Sequence, residues 1–190
     1  MTRDASPDEL RGEDRLLLLR AAREAIAVHL RGVDFEAPEG RGALAEGRGA
    51  FVTLRRREDD DLRGCVGLMR SDRSLLETVT VMAVAAATED GRFDPVTLEE
   101  LPGIAIEISA LGPMRPIRPE DVEVGRHGLL ISQGRRRGVL LPQVPVEHGW
   151  DRETFLAHTC WKAGLPEDAW LAPGAELQAF TATVFGEDEE

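Results

Sequence analysis

The spacing of apolar side chains predicts two helices in the first half of the chain. Apolar residues recur every three or four positions over residues 16–30, which brings them to one face of a helix. Ser6 followed by Glu9 predicts the start of this helix, and Gly32 predicts its end. Residues 74–88 repeat the spacing with many alanines, so we expect the second helix to pack closely against a sheet.

Short apolar segments, and elsewhere an alternation of apolar and polar side chains, predict strands in the rest of the chain. Residues 51–54 and 62–68 are separated by a charged connection and are expected to form a hairpin. Ile104, Ile106 and Ile108 alternate with Ala105, Glu107 and Ser109, the period of a half-buried strand. Residues 177–185 alternate again and predict a single last strand.

A further hairpin and a third helix are predicted in the second half. Residues 128–141 contain the turn sequence Gln133-Gly134-Arg135 between two apolar runs. Asp151 is expected to cap a helix over residues 152–163, which Gly164 then ends. The chain contains no internal repeat and no low-complexity segment.

The mixture of helices and strands predicts the fold class α+β, because the chain lacks the rhythm of β-α-β units. Gly112-Pro113, Pro116 and Pro119 interrupt the pattern and indicate a domain boundary. We therefore predict a larger domain of mixed helix and sheet from residues 1–112 plus 175–190. Residues 113–174 are expected to form a smaller, β-rich domain.

Charge and composition exclude several classes of function. The chain has 35 acidic and 23 basic side chains, and a net charge of −12 disfavours non-specific binding of nucleic acid or anionic membranes. No apolar run of about 18 residues is present, so no membrane span is predicted. The two cysteines form no disulfide framework, and the N-terminal residues lack a signal-peptide pattern. These features predict a cytoplasmic protein.

The strongest candidate chemistry lies in the sequence Leu62-Arg63-Gly64-Cys65-Val66-Gly67. On a strand, Arg63, Cys65 and Gly67 would share one face, and a nearby guanidinium favours the nucleophilic thiolate. The flanking glycines would let a ligand or another backbone approach closely. The competing interpretation is that Cys65 is a small buried hydrophobe and that the glycines serve a tight turn or bulge.

This sequence resembles the signature Leu-Arg-Gly-Cys-Ile-Gly of the AMMECR family, with Val66 as a conservative difference. The resemblance spans residues 16–186 through further blocks in the family's order: Phe51-Val52-Thr53-Leu54, Arg92-Phe93-Asp94-Pro95, Val124-Gly125-Arg126-His127-Gly128-Leu129, Leu140-Leu141-Pro142-Gln143-Val144, Gly149-Trp150-Asp151, Phe155-Leu156 and Lys162-Ala163-Gly164-Leu165.

The resemblance implies an α+β fold with a larger and a smaller domain and with the signature facing a cleft between them. It implies no established reaction, and it leaves the cofactor unknown. Bacterial and archaeal relatives include protein A of the AmmeMemoRadiSam system. That association implies a Memo-type protein and a radical-SAM enzyme as partners.

A cysteine nucleophile needs an acid/base partner, and the family blocks suggest candidates for it. His127 is the first choice, and Glu147 would orient its imidazole or act as the acid/base itself. Arg63, Gly64, Gly67 and Gln143 complete the candidate set as ligand-binding residues. A zinc site from Cys65, Cys160, His127 and His148 is a weaker alternative, because no two of these residues have the local spacing of zinc ligands.

Two functions from different classes remain open at this point. The first is an enzyme that acts on a small molecule or peptide through Cys65, with Arg63 as anion clamp and thiolate stabiliser. The second is a non-catalytic accessory or scaffold protein that docks a partner. An RNA-related factor is a third possibility, which the net charge disfavours.

Overall fold

A computed structural model describes residues 10–187 and confirms the predicted α+β class. In chain order the elements are α1 (Gly12–Leu30), β1 (Ala50–Arg56), β2 (Leu62–Leu68), α2 (Leu75–Thr88), β3 (Ile104–Leu111), β4 (Arg115–Pro116), β5 (Gly128–Gln133), β6 (Arg136–Leu140), α3 (Gln143–Glu147), α4 (Arg152–Lys162), β7 (Glu176–Phe180) and β8 (Ala182–Gly186). Within this part of the chain, no helix is both long enough and apolar enough to cross a membrane.

The described residues fall into two compact units. Residues 10–111 and 183–187 belong to the first unit, and residues 112–182 form the second. The charge is unevenly divided between them. Positions 112–182 carry eight basic and nine acidic side chains, so −11 of the net charge of −12 belongs to the rest of the chain.

The first unit contains a four-stranded sheet in the order β2-β1-β3-β8, with α1 and α2 packed together and α2 against β1 and β2. The alternation predicted for β3 is confirmed in the core, where Ile106 and Ile108 are buried together with Val52 and Leu54 of β1. Because every second side chain points to the same face, the residues between them lie on the opposite face of the sheet. That opposite face includes Cys65.

Capping side chains fix where the helices of the first unit begin. Ser74 Oγ accepts a hydrogen bond from the N–H of Glu77, whose carboxylate accepts the N–H of Ser74, and this capping box starts α2. Helix α1 begins at Gly12, where the carboxylate of Asp14 accepts the N–H of Arg11 at 3.0 Å. The predicted start at Ser6 and Glu9 lies outside the described residues.

The second unit has a four-stranded sheet in the order β4-β7-β5-β6, with α4 packed on β5 and β6. The predicted hairpin is confirmed: Gln133 pairs with Arg136, and Gly134 supplies the positive φ of 60° that the two-residue turn requires. Asp151 caps α4 as predicted and accepts the N–H of Thr154 at 2.8 Å. Phe155 and Leu129 are among the buried residues that join the helix to the sheet.

The prediction of one last strand over residues 177–185 is wrong. The chain forms two strands there, which belong to different sheets and are separated by Thr181. β7 pairs with β4 and β5, whereas β8 lies next to β3 in the first sheet. Alternation is the same in both strands, so the sequence pattern cannot show that the strand partner changes between them.

Candidate functional site

Cys65 lies on β2, at one edge of the first sheet, directly opposite Thr53 of β1. Thr53 Oγ1 donates a hydrogen bond to Cys65 Sγ at 3.3 Å. The side chain of Cys65 is half-buried, and both cysteines are free thiols. This hydrogen bond orients the thiol of Cys65 on the face of the sheet.

The outward-facing backbone of Cys65 is held by an ion pair. Its N–H donates to Asp90 Oδ2 at 2.8 Å, and its carbonyl accepts from Arg92 Nη2 at 3.5 Å. Arg92 and Asp90 also bind each other, with 2.7 Å between Nη2 and Oδ2. The free polar groups of the edge strand are thus satisfied at Cys65, and its position is fixed from the open side of the sheet.

Asp90 is suited to hold Cys65 but not to transfer protons. Its side chain is only 7% exposed. Hydrogen bonding from the Arg92 guanidinium, followed by the N–H groups of Cys65 and Arg92, holds the pKa of Asp90 well below its usual range, although burial acts in the opposite direction. The carboxylate therefore stays ionised at neutral pH. In turn, Asp90 raises the pKa of Arg92, mainly through their hydrogen bond, and a charge on Cys65 raises it further.

Arg63 makes its contacts away from the thiol. The pairing of β2 with β1 shifts by one residue there, which leaves Arg63 unpaired and places Leu62 opposite Arg55. Leu62 therefore lies on the face of Arg55 and not on the core face of Leu54. The Arg63 guanidinium donates to the carbonyl of Asp94 at 2.8 Å and to Glu100 at 3.2 and 3.3 Å. Arg92, not Arg63, hydrogen-bonds to Cys65.

The two glycines of the signature are explained by close packing. A Cβ on Gly64 would collide with the backbone carbonyl of Ala86, so glycine lets α2 approach the sheet. A Cβ on Gly67 would collide with the ring of Phe51, its cross-strand partner. Both positions need the smallest residue, whether or not a ligand binds there.

A carboxylate lies in the same row of the sheet as the thiol. Thr53 pairs with Cys65 on one side and with Glu107 of β3 on the other, so the three residues share a face. Cys65 and Glu107 are separated by two strand spacings, roughly 10 Å. The Glu107 side chain is half-buried, and within residues 10–187 its carboxylate has no hydrogen-bond or ion-pair partner.

The predicted acid/base residues belong to the second unit. His127 lies just before β5, and its Nδ1 accepts the N–H of Glu123 at 3.1 Å. Burial lowers the pKa of His127, with Glu123 and Arg126 acting in opposite directions, so the neutral ring presents Nε2–H as a donor. Gln143 and Glu147 are exposed at the two ends of α3. The roles of all three toward Cys65 stay predictions.

The second cysteine has a different environment. Cys160 is fully buried on α4, and its pKa is raised by that burial. His148 stacks on Trp150 at 4.7 Å between ring centroids, and Trp150 stacks on His158 at 3.8 Å. Across the described residues, no group of three or more histidine, cysteine or acidic side chains is arranged to hold a metal ion.

Comparison with known proteins agrees with the signature. The AMMECR1 family model matches residues 19–185. The chain belongs to the AMMECR1 family. Protein MK0488 of Methanopyrus kandleri is 44% identical over 191 residues, covering 96% of this chain and 92% of that protein. Protein MJ0810 of Methanocaldococcus jannaschii is 44% identical over 184 residues, covering 93% and 92%. The crystal structure of uncharacterized protein PH0010 from Pyrococcus horikoshii superposes with a TM-score of 0.74 at 43% identity, covering 90% of each chain.

Two blocks by which the chain resembles the AMMECR family meet at Cys65. Arg92 belongs to the block Arg92-Phe93-Asp94-Pro95 and donates a hydrogen bond to the carbonyl of Cys65 in the signature. Arg63 of the signature donates a hydrogen bond to the carbonyl of Asp94 in that block. Sequence reasoning missed Thr53, Asp90 and Glu107 as members of this site. Glu107 had a visible signal, since it is a charged residue in the middle of an alternating apolar strand. Asp90 had none, because a carboxylate just after a helix is commonplace.

Proposed function

We propose that this AMMECR1-family protein is an enzyme that modifies a small molecule or peptide through a covalent step at Cys65. The observation that carries the proposal is the row of Cys65, Thr53 and Glu107 across three strands, with the thiol hydrogen-bonded and its backbone anchored. A half-buried thiol shares this face of the sheet with a carboxylate that has no partner among residues 10–187, a combination that plain packing does not require.

In this proposal each side chain has a separate task. The thiol of Cys65 gives its proton to water, and the sulfur bonds to an acyl carbon of the substrate while the bond from that carbon to its alcohol or amine leaving group breaks. The leaving group departs with a proton, and water then hydrolyses the thioester and restores the thiol. Thr53 orients the sulfur, while Asp90 and Arg92 hold the strand edge as positioning residues. A substrate lying over Thr53 would extend from Sγ toward Glu107, which would then give or accept a proton on the substrate. His127 and Glu147 remain proposed alternatives for this acid/base role, and Gln143 for substrate binding.

A cytoplasmic location suits this proposal, because a reducing compartment keeps Cys65 as a free thiol. The first test is the rate of alkylation of Cys65 by iodoacetamide against pH, measured by mass spectrometry. Cys160 is the internal control, since it is fully buried. We expect Cys65 to react in the folded protein and Cys160 to react only on unfolding. Resistance of Cys65 until the protein unfolds would exclude a nucleophilic role.

The second test asks whether the thiol transfers groups. The protein is incubated with a panel of nitrophenyl esters, and acylation is detected both as nitrophenol release and as added mass on the peptide that contains Cys65. We expect acylation that Cys65→Ala abolishes and whose pH profile changes in Glu107→Gln. If Cys65→Ala and the wild type release nitrophenol at equal rates, the proposed covalent step is wrong.

The second candidate function is a non-catalytic accessory protein that docks a partner, such as a Memo-type protein or a radical-SAM enzyme. It is favoured by the packing roles of Gly64 and Gly67 and by the ion pair of Arg63 with Glu100. These contacts account for most of the signature without any substrate. An unreactive Cys65 in the alkylation experiment would support this candidate over the enzyme.

A further inference from the structure

A groove of about 820 Å³ lies on the first unit, apart from Cys65. Its walls are the end of α1, the segment of residues 33–39 and one face of α2. The lining residues recur at helical spacing from Glu77 through Thr80, Val81 and Val84 of α2 to Glu89, the residue that follows this helix. At 1.5 Å per residue this stripe is about 18 Å long. The groove is therefore elongated and runs along the helix.

The floor of the groove exposes apolar surface. Val33 is 59% exposed and Val81 is 41% exposed. Phe35, Met82 and Ala85 continue the apolar lining beside them. Met82 and Ala85 are themselves nearly buried, so the exposed apolar surface is centred on Val33 and Val81, and its place in a concave surface is typical of a binding groove.

The rim of the groove is acidic and largely uncompensated. Asp34, Glu36, Glu39 and Glu89 line it, and among residues 10–187 their carboxylates have no hydrogen-bond or ion-pair partner. A fifth acid, Glu77, is occupied in the cap of α2. The basic side chains in the lining are Arg73 and His29. Elsewhere on this unit, carboxylates such as Asp59 and Glu100 are paired with arginines.

We propose that this groove docks a basic amphipathic helix of a partner protein. The length of the groove and its apolar floor fit the apolar stripe of a helix, with contacts at every third or fourth residue. The unpaired carboxylates on the rim complement lysine or arginine side chains that flank such a stripe. A nucleic acid or an anionic membrane would be repelled by the same carboxylates. The proposal does not depend on the chemistry of Cys65.

The test uses synthetic helices as probes. A fluorescein-labelled peptide of about 18 residues, or five turns, carries leucines at helical spacing and lysines at the other positions. A second peptide has the same composition in an order that removes the apolar face. Fluorescence anisotropy at low ionic strength is expected to show saturable binding of the first peptide and much weaker binding of the second.

Two matched variants locate the binding site. Glu36→Lys with Glu39→Lys reverses two rim charges, and Glu58→Lys with Glu99→Lys reverses two exposed charges outside the groove lining. Both double variants change the net charge from −12 to −8. We expect the rim variant to weaken binding about tenfold and the control variant to change it by less than about twofold. Val81→Gln, which removes apolar surface without changing charge, should also weaken binding.

Two outcomes would overturn the proposal. Equal losses in the two double variants would mean that the peptide senses only the overall charge. Failure of the amphipathic peptide to bind at concentrations up to about 1 mM would mean that the groove holds no such helix. Circular dichroism of each variant confirms that the fold is retained. Neither outcome bears on alkylation of Cys65, so the two proposals fail separately.

Discussion

The two cysteines of this chain lie in similar frameworks but in opposite chemical environments. Each is close to a place where a helix packs on an edge strand across a glycine. Gly64 of β2 meets the backbone of α2, and Gly138 of β6 meets the backbone of α4. Cys65 is on the strand of the first pair, with Thr53, Asp90 and Arg92 as hydrogen-bonding partners. Cys160 is on the helix of the second pair and is fully buried.

The difference shows that packing of a helix on an edge strand across a glycine does not by itself create a reactive site. On the helix, Cys160 is one of the residues that fill a hydrophobic cluster, and burial raises its pKa and suppresses ionisation. On the edge strand, the backbone groups of Cys65 point away from the sheet and can bind polar side chains. An edge position therefore gives Cys65 polar side chains as neighbours, whereas the thiol of Cys160 has the backbone N–H groups of Ala169 and Trp170 beside it.

The largest effect on stability is expected at the two glycines across which a helix packs on an edge strand. Gly64→Ala and Gly138→Ala should each lower the free energy of unfolding by about 3 kcal/mol, because the new methyl group collides with helix backbone. Chemical denaturation with urea measures this. Gly91→Ala is the matched control, since nothing lies within 4 Å of a Cβ there and φ is not positive. A loss at Gly91 as large as at Gly64 would contradict the steric explanation.

The next effect concerns the hydrogen bonds that join the backbone of Cys65 to Asp90 and Arg92. Asp90→Asn should lower the free energy of unfolding by about 2 kcal/mol at neutral pH, because one charged acceptor of several hydrogen bonds is lost. The pKa of Asp90 is lower in the folded protein than in the unfolded chain, where it is about 3.9. Its contribution is therefore complete above that pH and declines as the pH falls further.

Urea denaturation of the wild type and of Asp90→Asn at several pH values checks this sign. We expect a constant difference in unfolding free energy between pH 6 and about 8, and a shrinking difference below about pH 4. A difference that grows on acidification would show that Asp90 is protonated in the folded protein. The rate of Cys65 alkylation should also change in this variant, because the N–H of Cys65 loses its charged acceptor.

A smaller effect separates the two arginines near the signature. Arg92→Gln should slow alkylation of Cys65 about threefold, the size expected for one exposed charge near a thiolate. Arg63→Gln should leave this rate nearly unchanged but cost about 1 kcal/mol of stability, since it removes the pair with Glu100. The reverse result would restore Arg63 as the stabiliser of the thiolate.

The smallest effect tests the hydroxyl beside the sulfur. Thr53→Val keeps the shape of the side chain and removes the donor to Cys65 Sγ, so alkylation at neutral pH should fall about twofold to threefold. Thr53→Ser retains the hydroxyl and should react like the wild type. Cys160 should stay unlabelled in all of these folded variants. Identical rates for valine and serine at this position would remove Thr53 from the site.

Much of the fold could be predicted from local patterns. Alternation gave β3, and a charged connection between two apolar segments gave the β1–β2 hairpin. Asp151 gave the start of α4, and Gly134 gave the turn of the second hairpin. These features depend on a few consecutive residues, so the sequence alone contains them. The split of residues 177–185 into β7 and β8 depends on which strands lie alongside, and alternation carries no information about that.

The candidate site divides in the same way. The sequence by itself determined the signature, the strand that carries Cys65 and the membership of the AMMECR family. Only the tertiary structure decided that Arg92 and Asp90 contact Cys65, because the chain turns back toward β2 after α2. It also decided that Arg63 binds Glu100, because a one-residue bulge in β2 leaves Arg63 unpaired with β1. It also decided that Glu107 shares a row with Cys65. Contacts between distant segments follow from strand order and register, which no local pattern encodes.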